Sequence, residues 1–422
     1  MYSKVGNYQR KVYIAGVGCT RFCDILDTPG VTGVTEGELF AQAAIDAMED
    51  AGIKAKDINA LIHGQLWSAI ESDYLTCGAQ MNKWVGMNGK PSMHHDEGCA
   101  TGYVSVELAA QMVASGKYDI VLAGGVECAN SHPIEGKPAH MRRPMGADAM
   151  AMGPMLDENV YTRHFGGRMG MDAFPSQYRL RNGLSIEEMD DTLNAIQIAA
   201  RRNSAGNPRA YFQEDLETFA KKLGMSDMNK FMKSVFNPKV SEYIRKFGME
   251  LRTEGAAAAI VCSEEVAKSL KKMPIEILAC TGATAEMGTP NVEEITTKEA
   301  IEELYAITGL CGDDIDLLMT NDFRIPSQLL TAEIAGYYPE GEGWKCFLNG
   351  DSAYDGRKPI NINGGRCAFG HAYAASGLAD VFETVKQMRG ESEGHQLPVP
   401  PKTVLVRGFG GGQNATAMIL KA

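Results

Sequence analysis

The chain has 422 residues, 44% of them hydrophobic and 22% charged, with a formal net charge of −12. That length suits two or three domain-sized units around a substantial core, and the acidic balance argues against nucleic acid as a general partner. No apolar run reaches the roughly 18 residues of a membrane span, and the opening MYSKVGNYQRKVYIAGVG lacks the apolar centre and cleavage site of a secretory signal, so the expected location is the cytoplasm. The 10 cysteines include no CxxC pair; in a reducing compartment most read as small buried apolar side chains.

Val12 to Val17 reads as a strand. Glu38 to Ala51 reads as a helix, because Phe40, Ala44, Ala47 and Ala51 share one face and Gly52 stops it. Asp57 to His63 is a second strand. A helix from about Ala100 to Ser115, closed by Gly116, leads into the buried strand Ile120 to Gly124. This is βαβ alternation. From about Cys128 to Lys246 the chain is rich in Arg, Met, Pro and Gly, with one clear helix near Glu187 to Arg202 and no strand alternation. It reads as a large insertion hung on the first half, a usual place for substrate contacts. Arg142, Arg143, Arg163, Arg168, Arg179 and Arg181 stand out there. Guanidinium groups suit phosphate recognition; solvated or ion-paired arginines are the competing reading.

The first order of elements then returns. Ala300 to Ala306 is helical, Gly309 ends it, and Asp314 to Thr320 forms a strand. Gly52 stands to Asp57-Ile58 as Gly309 stands to Asp314-Ile315. Ala100-Thr-Gly102 is matched by Ala375-Ser-Gly377, Gly116 by Gly390, and Val121-Leu-Ala-Gly-Gly125 by Val404-Leu-Val-Arg-Gly408. Four matches in one order predict a duplicated fold.

Four residues stand where chemistry is expected. Cys99, in Asp-Glu-Gly-Cys-Ala-Thr-Gly, opens a helix, whose N-terminal dipole favours a thiolate; a buried structural thiol is the alternative. His371, in Gly370-His371-Ala372, precedes the mirrored helix, so a two-fold relation brings an imidazole toward the thiol as a nucleophile–base pair requires; a satisfied core histidine is the alternative. Asn321 follows the strand Leu317 to Thr320, where an amide orients a water or an imidazole or merely starts a turn. In Gly408-Phe-Gly-Gly-Gly412, between strands Val404–Val406 and Ala415–Leu420, the N–H of Gly410 suits a developing oxyanion. No metal is expected at His94-His95-Asp96-Glu97, since neighbours on an extended chain point to opposite sides.

Together with Asn207-Pro208, Glu254-Gly-Ala-Ala-Ala and Asn361-Ile-Asn-Gly-Gly, these motifs resemble the thiolase superfamily, and in particular its sterol-carrier-protein-2-like branch, along nearly the whole chain. The resemblance implies an α/β thiolase fold: duplicated βαβ halves in a five-layered αβαβα arrangement. Residues 1–127 plus 247–272 make the N-terminal half, 128–246 the insertion or loop domain and 273–422 the C-terminal half. Cys99 matches the acyl-accepting nucleophile, His371 the histidine of Gly-His-Pro (with Ala372 for proline), Asn321 the asparagine of Asn-Glu-Ala-Phe or the histidine of His-Asp-Cys-Phe, and Gly410 the oxyanion-hole glycine.

The implied activity is cleavage of a 3-oxoacyl-CoA by coenzyme A through a Cys99 acyl-enzyme, with (S)-2-benzoylsuccinyl-CoA as one candidate substrate. Coenzyme A is then a substrate, and no cofactor is permanently bound. Arg142, Arg143, Arg163 and Arg168 are the candidates for its phosphates. A homodimer core and a small zinc-ribbon/OB-fold partner subunit are implied as well. One departure matters. The second, acid/base cysteine of thiolases falls at Gly408 and Phe323, so that proton carrier is missing; Cys367 and Tyr373 are the nearby substitutes in sequence. A ketoacyl-synthase-like condensing enzyme is disfavoured because Asn321 precedes His371, and a thiolase-fold aldolase because it needs no nucleophilic cysteine. A non-catalytic acyl-CoA-binding scaffold is the remaining alternative.

Overall fold

The computed structural model describes residues 8–25, 28–31, 33–66, 76–128, 167–285, 291–410 and 414–422. Counting helices of eight residues or more, the first half runs β1 (Val12–Cys19), α1 (Glu36–Ala51), β2 (Ala60–Gly64), α2 (Cys77–Trp84), β3 (Ser92–His95), α3 (Thr101–Ala114) and β4 (Ile120–Glu127). Helices α4 (Gly167–Arg181) and α5 (Ile186–Ser204) follow, then β5 (Gly255–Ser263). The second half runs β6 (Ile275–Thr284), α6 (Val292–Thr308), β7 (Leu317–Thr320), α7 (Pro326–Ile334), α8 (Tyr373–Arg389), β8 (Thr403–Gly410) and β9 (Asn414–Lys421).

The strand order β3-β2-β4-β5-β1-β6-β9-β8-β7 is a mirrored one. In the first half β2 pairs β4 in parallel, and β5 is antiparallel to both β4 and β1. In the second, β7 pairs β8 in parallel and β9 is antiparallel to both β8 and β6. Even the irregularities agree, since the register slips after the third residue of β1, at Ile14, and after the third residue of β6, at Ile277. Between β1 and β6, where the two half-sheets adjoin, Tyr13 pairs with Glu276 and Ile14 with Ile275.

Local chemistry sets the boundaries. Thr35 and Glu38 form a reciprocal capping box at the start of α1. Gly52 (φ 69°) and Gly309 (φ 72°) end α1 and α6 in the left-handed region, which costs glycine nothing. Each is followed by a single 3₁₀ turn, Ala55–Asp57 or Gly312–Asp314. Those turns are why β2 begins at Ala60 and β7 at Leu317, three residues later than sequence spacing suggests.

Helix α1 packs on one face of the first half-sheet and α6 on the far face of the second, while α3 and α8 lie between the two half-sheets. The result is five layers, αβαβα. Of the two helices in the middle layer, α8 is buried on nearly every side from Tyr373 to Met388, whereas α3 keeps Gln111 exposed. One core joins α3 and α8 through Val106, Ala110, Leu378 and Val385, and another forms beneath α1. The insertion follows the first half in sequence but packs on the second: Tyr178, Met189, Leu193 and Ile196 share a core with Ile325, Leu329, Tyr338 and Phe347. No described helix is long and apolar enough to cross a membrane.

The matched Ala-Thr-Gly and Ala-Ser-Gly segments are where α3 and α8 touch backbone to backbone. A Cβ on Gly102 would lie 2.6 Å from the Ala374 carbonyl oxygen and 2.8 Å from the Leu378 nitrogen; one on Gly377 would lie 2.6 Å from the Tyr103 nitrogen. Only glycine allows so close an approach. Gly102→Ala therefore forces the central helices apart. The expected loss is about 2–3 kcal/mol, read from urea unfolding; a variant as stable as wild type contradicts this packing.

Candidate active site

Cys99 immediately precedes Ala100, the N-cap residue of α3, and is half-buried. Its loop is tied down by Thr101, whose hydroxyl accepts from the Glu97 N–H (2.8 Å) and donates to the Gly98 carbonyl (2.6 Å). Asn414 of β9 donates to the Glu97 carboxylate (2.7 Å). Asn321 lies wholly buried at the end of β7. Its amide donates to the Phe409 carbonyl (3.1 Å) and, more weakly, to the Cys99 carbonyl (3.5 Å), and its oxygen accepts from the Phe323 N–H (3.0 Å). Here the amide clamps the thiol's backbone to the second half, and its donors are directed at carbonyls rather than at the imidazole. Gly410 ends β8, and a Cβ there would lie 2.5 Å from the Glu97 carbonyl. This glycine thus lies beside the cysteine loop.

His371 enters from the opposite half, two residues before α8, and is fully buried. Its Nδ1 pairs with the Ser376 hydroxyl at 2.9 Å. Ser376 matches Thr101 in the mirrored segment, so one hydroxyl in each half fixes that half's candidate group. Burial, helped by the Arg366 and Arg252 charges, pushes the imidazole's pKa well below its usual value, so the ring is neutral near pH 7. The Tyr373 ring lies 4.6 Å from the imidazole, and the Cys99 charge is among the influences on its phenol. The structure therefore gathers the surroundings of Cys99, Asn321, Gly410 and His371 where α3 and α8 begin.

The arginines do not gather there. Arg142, Arg143 and Arg163 lie outside the described residues, and only the backbone of Arg168 is described, in the first turn of α4. Arg179 donates to the Tyr243 hydroxyl and the Leu184 carbonyl, and Arg181 pairs with Glu294 at 2.9 Å, so both serve the fold. His94 turns to the Gln65 carbonyl and His95 to the Ser105 hydroxyl, and no cluster of three potential metal ligands occurs among the described residues.

At the positions of the second family cysteine the space is taken. A Cβ on Gly408 would collide with the Tyr103 ring, and Phe323 stacks on Phe409 with centroids 5.7 Å apart. Of the two substitutes, the Cys367 thiol is buried against the Asp322 carbonyl (3.7 Å), and burial raises both it and the Tyr373 phenol well above their normal range. Sequence reasoning missed Glu250. Its Oε2 lies 3.5 Å from His371 Nε2, and desolvation raises its carboxyl from 4.5 to about 7, with Arg366 opposing. An acidic residue in Phe-Gly-Met-Glu-Leu-Arg-Thr-Glu carries no periodic signal, and nothing in the sequence marks it.

Two family models match the chain, the N-terminal thiolase domain over residues 12–214 and the thiolase C-terminal domain-like model over residues 283–422. The chain belongs to the thiolase family. By that membership it is an acyltransferase of the thiolase type. This thiolase is 28% identical to the benzoylsuccinyl-CoA thiolase subunit BbsB of Thauera aromatica over 417 residues, 96% of each chain. It is 26% identical to an acetyl-CoA acetyltransferase of Methanothermobacter thermautotrophicus, over 92% of this chain and 93% of the other. Human sterol carrier protein 2 is 27% identical over 92% of this chain and 68% of its own length. Among solved structures, the Ltp2-ChsH2(DUF35) aldolase superposes with a TM-score of 0.74 at 21% identity, covering 98% of both chains. The human mitochondrial 3-ketoacyl-CoA thiolase in complex with CoA gives 0.68 at 19% identity over the full length of both. At those identities the superpositions speak for the fold alone.

The Glu250 carboxyl has a consequence for stability. Its folded-state pKa is raised, so the native protein holds the proton longer than the unfolded chain does. Stability falls as pH rises from 4.5 through about 7, by about 3 kcal/mol in total. Glu250→Gln removes that loss. In scanning calorimetry the variant should melt above wild type at pH 8, the gap closing toward pH 4.5; parallel curves contradict the assignment.

Proposed function

We propose that this thiolase is an acyl-CoA C-acyltransferase that cleaves a 3-oxoacyl-CoA with coenzyme A through an acyl-enzyme on Cys99. The observation that carries the reading is the meeting of the two helix starts, with a half-buried thiol supplied by one half and a neutral imidazole by the other. In the tautomer with its proton on Nδ1, toward Ser376, His371 holds a lone pair on Nε2 and takes the thiol proton. The thiolate attacks the C3 carbonyl. The developing oxyanion is met by the N–H groups of Cys99 and Gly410 and by the protonated His371, while Asn321 holds the Cys99 backbone in place. The C2–C3 bond breaks, the shortened acyl-CoA departs, and coenzyme A collects the acyl group from Cys99.

Benzoylsuccinyl-CoA, giving benzoyl-CoA and succinyl-CoA, is the substrate we favour, on the match to BbsB along 96% of each chain. The same reading places the protein in the cytoplasm as a homodimer core with a small zinc-ribbon/OB-fold partner. A second component printed beside Ltp2, ChsH2(DUF35), supports a partner of that kind. Residues 1–127 plus 247–272, 128–246 and 273–422 are the proposed domains. An acyl-CoA-binding scaffold has no use for a thiol and imidazole held in this way.

Wild-type protein incubated with benzoylsuccinyl-CoA or acetoacetyl-CoA should gain the mass of the acyl fragment on Cys99. Cys99→Ala should gain none and lose at least 10³-fold in thiolysis, the order expected when a nucleophile is removed. Turnover by Cys99→Ala at the wild-type rate rules the mechanism out.

A further inference from the structure

Building on the acyl-transfer reading, we infer that the Glu250 carboxyl is the proton carrier of this site, standing in for the acid/base cysteine that the chain lacks. The inference rests on where residues 249–254 run. This segment returns from the insertion toward β5 by threading between two loops of the second half. The Glu250 N–H donates to the Phe323 carbonyl (3.1 Å), and the Leu251 N–H to the Arg366 carbonyl (3.1 Å). The His371 N–H donates back to the Leu251 carbonyl (2.7 Å), and the Thr253 N–H to the His371 carbonyl (3.1 Å). Glu250 is thus fastened by its own backbone to Phe323, one of the two positions where the family places its second cysteine. The other position, Gly408, is closed by the Tyr103 ring.

The side chain points toward the imidazole. Oε2 lies 3.5 Å from His371 Nε2, a nitrogen with no hydrogen-bond partner among the described residues. Oε1 lies 4.0 Å from Arg252 Nε. The Glu250 side chain is 20% exposed and that of His371 0%, so of the two it is Glu250 that reaches the surface. The groups acting on it are the Arg366, Arg252 and His371 cations or ring, the Tyr373 phenol and the Cys367 thiol. With a pKa of about 7, both of its protonation states are populated at neutral pH, as a group that must give and then take a proton requires.

The proton balance closes. As the Cys99 sulfur bonds to C3, the C2–C3 pair passes to C2, and C2 takes the Glu250 proton to give the shortened acyl-CoA. Coenzyme A then gives its thiol proton to the Glu250 carboxylate. Its sulfur attacks the Cys99 thioester, and Cys99 leaves as thiolate. One 3-oxoacyl-CoA and one coenzyme A become two acyl-CoA molecules, and the carboxyl is again protonated.

The enolate half of this chemistry can be read without the nucleophile. Wild type, Glu250→Gln and Glu250→Asp are incubated with acetyl-CoA or succinyl-CoA in D₂O. Deuterium entering C2 is followed by NMR, and acyl mass on Cys99 from the 3-oxoacyl-CoA is measured in parallel. Glu250→Gln should lose deuterium entry at least 100-fold, within the range for a general acid–base group; acyl mass from the 3-oxoacyl-CoA should form more slowly by a similar factor but still reach full occupancy of Cys99, with water protonating the departing enolate. Glu250→Asp should recover part of the exchange, and the wild-type rate should show a pH arm near 7 that Glu250→Gln lacks. Exchange by Glu250→Gln within threefold of wild type, or acylation of Glu250→Gln at the wild-type rate or not at all, overturns the assignment; so does a wild type that acylates without exchanging. A wild type that gains no acyl mass overturns the acyl-transfer reading itself, and this inference with it.

Discussion

At the middle of the molecule the two halves meet main chain to main chain. Where α3 and α8 cross at Gly102 and Gly377, side chains are absent, and helix backbones approach to a distance that any Cβ would forbid. The candidate nucleophile and base flank that crossing, Cys99 three residues before Gly102 and His371 six residues before Gly377. The flanking strands make the same concession. A Cβ on Gly125 would collide with the Ala374 carbonyl, and one on Gly408 with the Tyr103 ring. Four glycines, paired by the duplication, thus set the separation of the layers and with it the spacing of the site.

Charge holds what the glycines bring close. Arg366, wholly buried, donates to both oxygens of Asp380 (3.0 and 2.7 Å) and to the Tyr103 hydroxyl (2.5 Å), and Asn363 adds a further bond to Asp380. Asp380 stands on α8 and Tyr103 on α3, so this network crosses the same seam. A buried ion pair adds little net stability, yet losing one partner strands the other charge in a medium that cannot solvate it. The arrangement therefore rewards only the correct docking of the halves. It also fixes the Tyr103 ring where a second cysteine would otherwise fit.

Much of this was legible in the sequence, for identifiable reasons. Helix ends carried their glycines, the duplicated Ala-Thr-Gly and Ala-Ser-Gly segments announced equivalent helix starts, and Cys99 and His371 stood at those starts. Strands β4 and β8 run on to Glu127 and Gly410, past the point where glycine suggested an end; a glycine inside a strand here marks a helix passing close by. Two features had no local signature. Glu250 reaches His371 only through the long-range bridge between Arg252 and His371. Likewise, the packing of α4 and α5 on the second half depends on surfaces that chain order does not reveal. The Asn321 amide was expected to serve a water or an imidazole, but its hydrogen-bond donors are engaged by the Phe409 and Cys99 carbonyls.

The clamp from Asn321 to the Cys99 loop has a consequence for synthesis. A ribosome makes Cys99 long before it makes Asn321, Ser376 or His371, so the nascent first half carries its thiol without the Asn321 clamp and without imidazole or carboxyl beside it. Under the proposed mechanism the cysteine gains its base and its carboxyl only when the last strands dock, which would couple completion of the polypeptide to the onset of reactivity and spare the unfinished chain from premature acylation.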